Sequence, residues 1–318
     1  MNTNLTSRFL FSLILITVLQ LTSKAQMVNY KILKDDPKDV TNLWVGVELM
    51  NFDIGFKNIH GLSFSSGVWA TADYKERINA EAVLRYGWLT MGKLVGGPDI
   101  KNHHQIELGG SYSLIKKTKS KKTNIILSQS TGYNSEGKKV TTTKSIAVPA
   151  TRISALGARG GLYSIGGAFG TDAYPTITPD IINYSMRGVY VGLFQSSTHN
   201  IFINTDTDGI AAKSKRMKFY ADLLIVPIQA ARFQGVDYKS VIGAGPIGWR
   251  VGIQAMPMEL RKVQNLDVKI RGIVIGAEAG IRPYDGIYVA GTWTICILRK
   301  KSPKLGYTKP ETENRTTE

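Results

Sequence analysis

The feature that most constrains this chain is side-chain alternation, apolar then polar, repeated in segment after segment to its end. From Ile78 to Trp88, one face carries Ile78, Ala80, Ala82, Leu84, Tyr86 and Trp88; the other carries Asn79, Glu81, Arg85 and Gly87. Successive strand side chains point to opposite faces while a helix repeats every 3.6 residues, so period two means strand. Ile106, Leu108, Tyr112 and Leu114 alternate with Glu107, Gly109, Ser111 and Ser113. Trp249, Val251 and Ile253 oppose Arg250, Gly252 and Gln254; Ile273, Ile275 and Ile281 oppose Val274, Glu278 and Arg282. Ile287, Val289, Trp293 and Ile295 oppose Tyr288, Thr292 and Thr294. Further strands are expected near 42–56, 60–74, 122–133, 138–148, 153–166, 186–196 and 216–229, about twelve in all. The first reads ambiguously, because both of its faces are largely apolar.

Alternation alone fits a soluble sandwich as well as a membrane barrel, so the polar face decides. A water-facing sheet face is crowded with charge. Here that face is mostly Gly, Ser, Thr and Asn, with Glu81, Arg85, Glu107, Arg159, Lys218, Asp222, Arg250 and Glu278 as its charges. Four are basic and four acidic, the balance a confined interior requires, since an unpaired charge there is costly. The expected architecture is an all-β, antiparallel, up-and-down transmembrane barrel whose lumen these eight residues close.

The beginning of the chain agrees. Arg8 precedes the apolar run Phe9–Leu19, and Ser23 and Ala25 have the spacing a signal peptidase reads. The expected organisation is a signal peptide over 1–25, a lead-in over 26–41, a barrel over 42–299 and a polar tail over 300–318. No later apolar run approaches the roughly 20 residues of a membrane helix. The lone Cys296 cannot form an internal disulfide, although an exported chain enters an oxidising space. The formal charge of +16 admits nucleic acid, anionic lipid or an acidic partner, and export disfavours nucleic acid.

Connector lengths orient the tube. With both termini in the periplasm, the long connectors near 90–103, 167–185 and 230–245 all face outward, as such barrels require. Trp88 and Trp249 then fall at the outer interface, while the phase of Trp69 points it toward the lumen. The stretch from Ser197 to Lys215 breaks the pattern, being too long for a periplasmic turn.

In pattern the mature chain resembles bacterial outer-membrane β-barrel proteins, in the general style of barrels from the Bacteroidota, whose signals look like Ser23-Lys24-Ala25-Gln26. The resemblance implies the outer membrane of a Gram-negative cell, with its lipid as the surrounding partner. Many such barrels end on an aromatic residue, and this chain instead continues past its last strand.

Catalytic and metal chemistry find little support. The histidines are His60, His103, His104 and His199, and a serine near His60, such as Ser63, is one that an adjacent base could activate. No Gly-x-Ser-x-Gly elbow accompanies it. His103 and His104 point to opposite strand faces, and Asn204–Gly209 lacks the later Glu of a calcium loop, so no catalytic residue, metal or cofactor is assigned. Basic clusters are the best remaining clue: Lys116, Lys117, Lys119, Lys121 and Lys122; Lys213, Lys215 and Arg216; Arg261 and Lys262. All would form turns at the periplasmic rim, a platform for an acidic periplasmic protein or the cell-wall polymer. The expected function is a structural or interaction barrel; a porin-like barrel for small polar or anionic solutes is the alternative, and a lipid-modifying enzyme ranks behind both.

Overall fold

The computed structural model describes residues 28–38, 43–55, 62–74, 77–91, 100–170, 181–233, 236–237, 245–257, 273–283 and 286–299. The expected signal peptide, His60, Arg261, Lys262 and the tail 300–318 lie outside them. The strands are β1 (Tyr30–Asp35), β2 (Leu43–Gly55), β3 (Leu62–Tyr74), β4 (Ile78–Met91), β5 (Ile100–Tyr133) and β6 (Lys139–Gly170). They continue as β7 (Ile181–Thr205), β8 (Gly209–Phe233), β9 (Val236–Asp237), β10 (Ile247–Pro257), β11 (Ile273–Arg282) and β12 (Gly286–Arg299). All pairings are antiparallel. β2 to β8 pair in chain order, β8 pairs with β10, and β12 returns to β2 through Val289↔Ile54 and Ile295↔Val47. Of the twelve strands, ten therefore close an all-β barrel and β1 and β9 lie outside it.

Alternation sorts the side chains as period two requires. Leu84, Trp88, Leu108, Leu162, Leu193, Trp249 and Trp293 face outward, the last with 57% of its surface exposed. Glu107, Arg159, Lys218, Asp222 and Arg250 are buried on the inner face. Trp88 and Trp249 point outward at the end away from Leu43 and Arg299, and Trp69 points inward.

The lysine run 116–122 corrects the expectation of a turn there. The segments expected as strands at 106–114 and 122–133 are one strand, β5, and those at 138–148 and 153–166 are one strand, β6. The run contains no Gly or Pro, and lysines separated by Thr and Ser remain solvated on an extended strand. Pro149 falls where β6 has already left β7, an edge position at which a missing N–H is tolerated. β5 pairs with β4 only as far as Tyr112, so 113–133 continue past the barrel wall for about 70 Å of strand path. β7 and β8 run on likewise, which accounts for the overlong stretch 197–215: two strand extensions joined by a tight turn at 206–208. Gly209, at φ 71°, closes that turn, and Gly137, at φ 72°, closes the turn between β5 and β6.

The two extended hairpins pack on one another below the barrel. Ile125, Val148 and Ala150 meet Ile201 and Ile203 in a dry cluster, and Leu127, Ile146 and Ala211 lie against it. β1 adds a strand to β7, and the Asp35 carboxylate accepts from the backbone N–H and hydroxyl of Thr151 at 2.7–2.9 Å. Lys144 ties the second hairpin's turn down through Asp208 at 2.8 Å.

Candidate functional site: the filled lumen

Each inward charge stands on a strand whose neighbours alternate outward, so the wall delivers all of them to one bore. Arg250 of β10 donates to both carboxylate oxygens of Glu107 on β5, at 2.8 and 2.9 Å, and to Asp222 on β8 at 2.8 Å. Arg159 of β6 lies 3.4 Å from Asp222 and 3.8 Å from Glu81 on β4. Lys218 of β8 reaches the same Glu81 at 3.0 Å, and the indole of Trp69 donates to its other oxygen at 3.2 Å. Glu278 accepts from Tyr220 at 2.7 Å and from Tyr288, and lies 3.4 Å from Arg250. Arg85 completes the expected group, but its partner is Glu48, at 2.6 and 2.9 Å.

The sequence reading places Arg282 on the inward face but misses its partner Asp53, at 2.6 Å, and Glu48. Both acids lie on β2, the strand that reads ambiguously. Around Leu49 and Met50 a β-bulge shifts its register against both β3 and β12. Trp44, Gly46 and Glu48 are inward before the bulge and Asn51 and Asp53 after it, so the period-two phase flips mid-strand.

Aromatic rings and glycines complete the filling. Arg159 stacks over Tyr220 at 4.0 Å and Tyr190 at 5.0 Å, and Arg250 over Tyr190 at 4.8 Å. These rings fit because inward positions beside them are glycine: a Cβ at Gly252 would strike the Tyr220 ring, and one at Gly109 the Tyr190 hydroxyl. Toward the end bearing Leu43 an apolar cluster of Trp44, Trp69, Val83, Met256, Val274 and Cys296 fills the bore, beside the Arg216–Asp73 pair. Among these groups remains a cavity of about 60 Å³, lined by Glu48, Glu81, Arg85, Glu107 and Arg159 among others.

The remaining candidates scatter. Ser63 is buried with its hydroxyl unpartnered, and His103 faces Tyr184 at 3.3 Å. Among the described residues, no three of His, Cys, Asp and Glu are grouped to hold a metal. Lys117, Lys119, Lys121 and Lys122 are exposed and Lys116 half-buried on β5. Lys213 donates to the Asn124 carbonyl at 2.8 Å, and Lys215 pairs in register with His199 and Pro257. Arg216 turns inward to Asp73 of β3 and is no part of an open rim.

No protein-family model matches the chain, and no curated protein does either. A loop-deletion mutant of OmpT, an outer membrane protein of Vibrio cholerae, is similar at 9% identity over 85% of this chain and 99% of that one. Its TM-score of 0.17 carries no argument, and the fold rests on the strand pairing alone.

Proposed function

We propose that this chain is an outer-membrane β-barrel with a structural or interaction role, its lumen closed by paired charges. The observation that carries the reading is the sorting of the barrel wall: Leu84, Leu108, Leu162, Leu193, Trp88, Trp249 and Trp293 outside, the paired carboxylates and guanidiniums inside. Water outside would favour the opposite arrangement, whereas lipid tails favour this one, and closure leaves no unpaired strand edge around the wall. β10 and β11, with 11 and 10 residues, have the roughly 9–11 residues that a tilted strand needs to cross a bilayer. Lumenal side chains then serve as filling, since the space left between them suits a few waters and not a solute. With export and periplasmic termini, the extended hairpins project into the periplasm. The exposed lysines of β5 suit an acidic periplasmic protein or the cell-wall polymer.

Purified full-length protein in planar bilayers tests the closure. Little or no conductance is expected; a steady, large current with a solute-dependent ion preference would overturn the closed lumen in favour of a transport barrel.

A further inference from the structure

Cross-strand register makes the outer face of β5 to β8 legible row by row. One row runs Ile115↔Leu156, Leu156↔Gln195 and Gln195↔Phe219, and is mostly apolar. Two residues further from the barrel's middle the row is Lys117, Ser154, Ser197 and Met217. Two further still it is Lys119↔Arg152, Arg152↔His199 and His199↔Lys215. Residues opposite one another in antiparallel strands share a face, so three cations and an imidazole stand side by side across four strands. At about 4.8 Å per strand the row is about 14 Å wide. The outward face thus passes from greasy to cationic within about 13 Å of strand path, on the side that bears Leu43 and Arg299.

The row is held and it is one-signed. Arg152 Nε donates to Ser197 Oγ at 2.5 Å, which anchors the guanidinium on this face. Neither this row nor the one above it contains a carboxylate. The nearby Asp35 is engaged by Thr151. Burial first, and then Lys213, Arg152 and Lys215, hold the His199 imidazole down to about 4, and its Nε2 is buried without a hydrogen-bond partner.

We propose that Lys119, Arg152 and Lys215 of this row bind the phosphates of anionic phospholipid headgroups in the leaflet on the side that bears Leu43 and Arg299. The proposal rests on the membrane reading above, which puts lipid against the apolar rows and its headgroups at their edge. Lysine and arginine at a membrane surface each attract anionic lipid, and a guanidinium beside two ammonium groups matches the oxygens of a phosphate.

Spin-labelled phosphatidylglycerol and phosphatidylcholine, each added to phosphatidylcholine vesicles carrying the full-length protein, measure the preference at the protein surface. Wild type is expected to restrict the anionic probe about tenfold more strongly, and Lys119→Gln/Arg152→Gln/Lys215→Gln to lose most of that preference. A variant with the same type of charge loss at the far hairpin end, Lys138→Gln/Lys139→Gln, is expected to keep it. Equal restriction of the two lipids by wild type, or equal loss in both variants, would overturn the proposal. So would preference for lipopolysaccharide over the phospholipid at this row. Heat-modifiable gel migration of each sample reports the closed barrel separately. A barrel that forms and inserts without lipid preference refutes only the row, whereas a wild type that never inserts refutes the membrane reading with it.

Discussion

Replacing Arg250 by methionine removes a cation that is 2% exposed and keeps most of its aliphatic bulk. Three charge-assisted hydrogen bonds disappear, two to Glu107 and one to Asp222. Glu107 keeps the Gln105 amide at 2.6 Å, and Asp222 keeps only Arg159 at 3.4 Å, with its Oδ1 already unpartnered. Two buried carboxylates are thereby left short of donors. Breaking a buried pair from one side costs about 3–5 kcal/mol, against the 0.2–1 kcal/mol typical of exposed pairs. The expected loss is therefore about 3–5 kcal/mol, read as a lower urea midpoint for the protein in lipid vesicles by tryptophan fluorescence. Arg250→Lys should recover only part of it, because one ammonium cannot fork to Glu107 and also reach Asp222. Adding Glu107→Gln and Asp222→Asn to Arg250→Met should recover about half or more, since neutral amides need no counter-charge. A single variant within about 1 kcal/mol of wild type, or a triple variant no better than the single, would refute the idea that paired charge holds the bore.

Two further substitutions probe the filling and the extension. Gly252→Ala drives a methyl group into the Tyr220 ring and should lower stability by about 1–3 kcal/mol in the same urea titration. Gly245→Ala, with open space around it, should change nothing, and equal effects at the two sites would deny the ring its packed seat. Ile201→Ala, at 0% exposure, removes the centre of the cluster between the two hairpins and should cost about 2–5 kcal/mol there. Limited proteolysis should then cut residues 113–151 faster while the barrel still migrates as a heat-modifiable band, and an equally resistant hairpin would refute that packing.

Where alternation runs unbroken, as in β10, β11 and β4 up to Gly87, the sequence alone shows which side chains face out, because the pleat admits no other arrangement. Glu81, Arg85, Glu107, Arg159, Lys218, Asp222, Arg250 and Glu278 are inward for that reason, though which acid meets which base depends on the closed ring and cannot be read from a strand. Two kinds of local event hide from such a reading. The bulge at Leu49 and Met50 swaps the faces of β2, so Glu48 and Asp53 occupy opposite phases of what looks like one apolar run. The run from Lys116 to Lys122 looks like a solvated turn, yet a paired strand solvates lysine as well as a turn does. The distinction lay in the missing Gly and Pro, and the turn residues Asn134 and Gly137 sit well beyond it.

The pairing pattern explains how a ten-stranded wall is filled at all. Eight strands enclose a space that side chains just fill, so ten enclose more than the wall-lining atoms of ordinary residues can occupy. Here the filling comes from groups that reach across. Arg250 and Glu107 stand four strands apart around the ring, as do Lys218 and Glu81, and Arg216 and Asp73 stand five apart, on opposite walls. A pore selective for anions would keep its cations along the wall with water between them. These cations instead end on carboxylates of the far wall, and tyrosines seated on glycine close the gaps. Opening a path would require parting several such ties at once, each about as costly as the Arg250 substitution. Interaction chemistry therefore belongs to the surfaces that the ties leave free: the apolar belt, the cationic row at its edge and the lysine-bearing hairpin below.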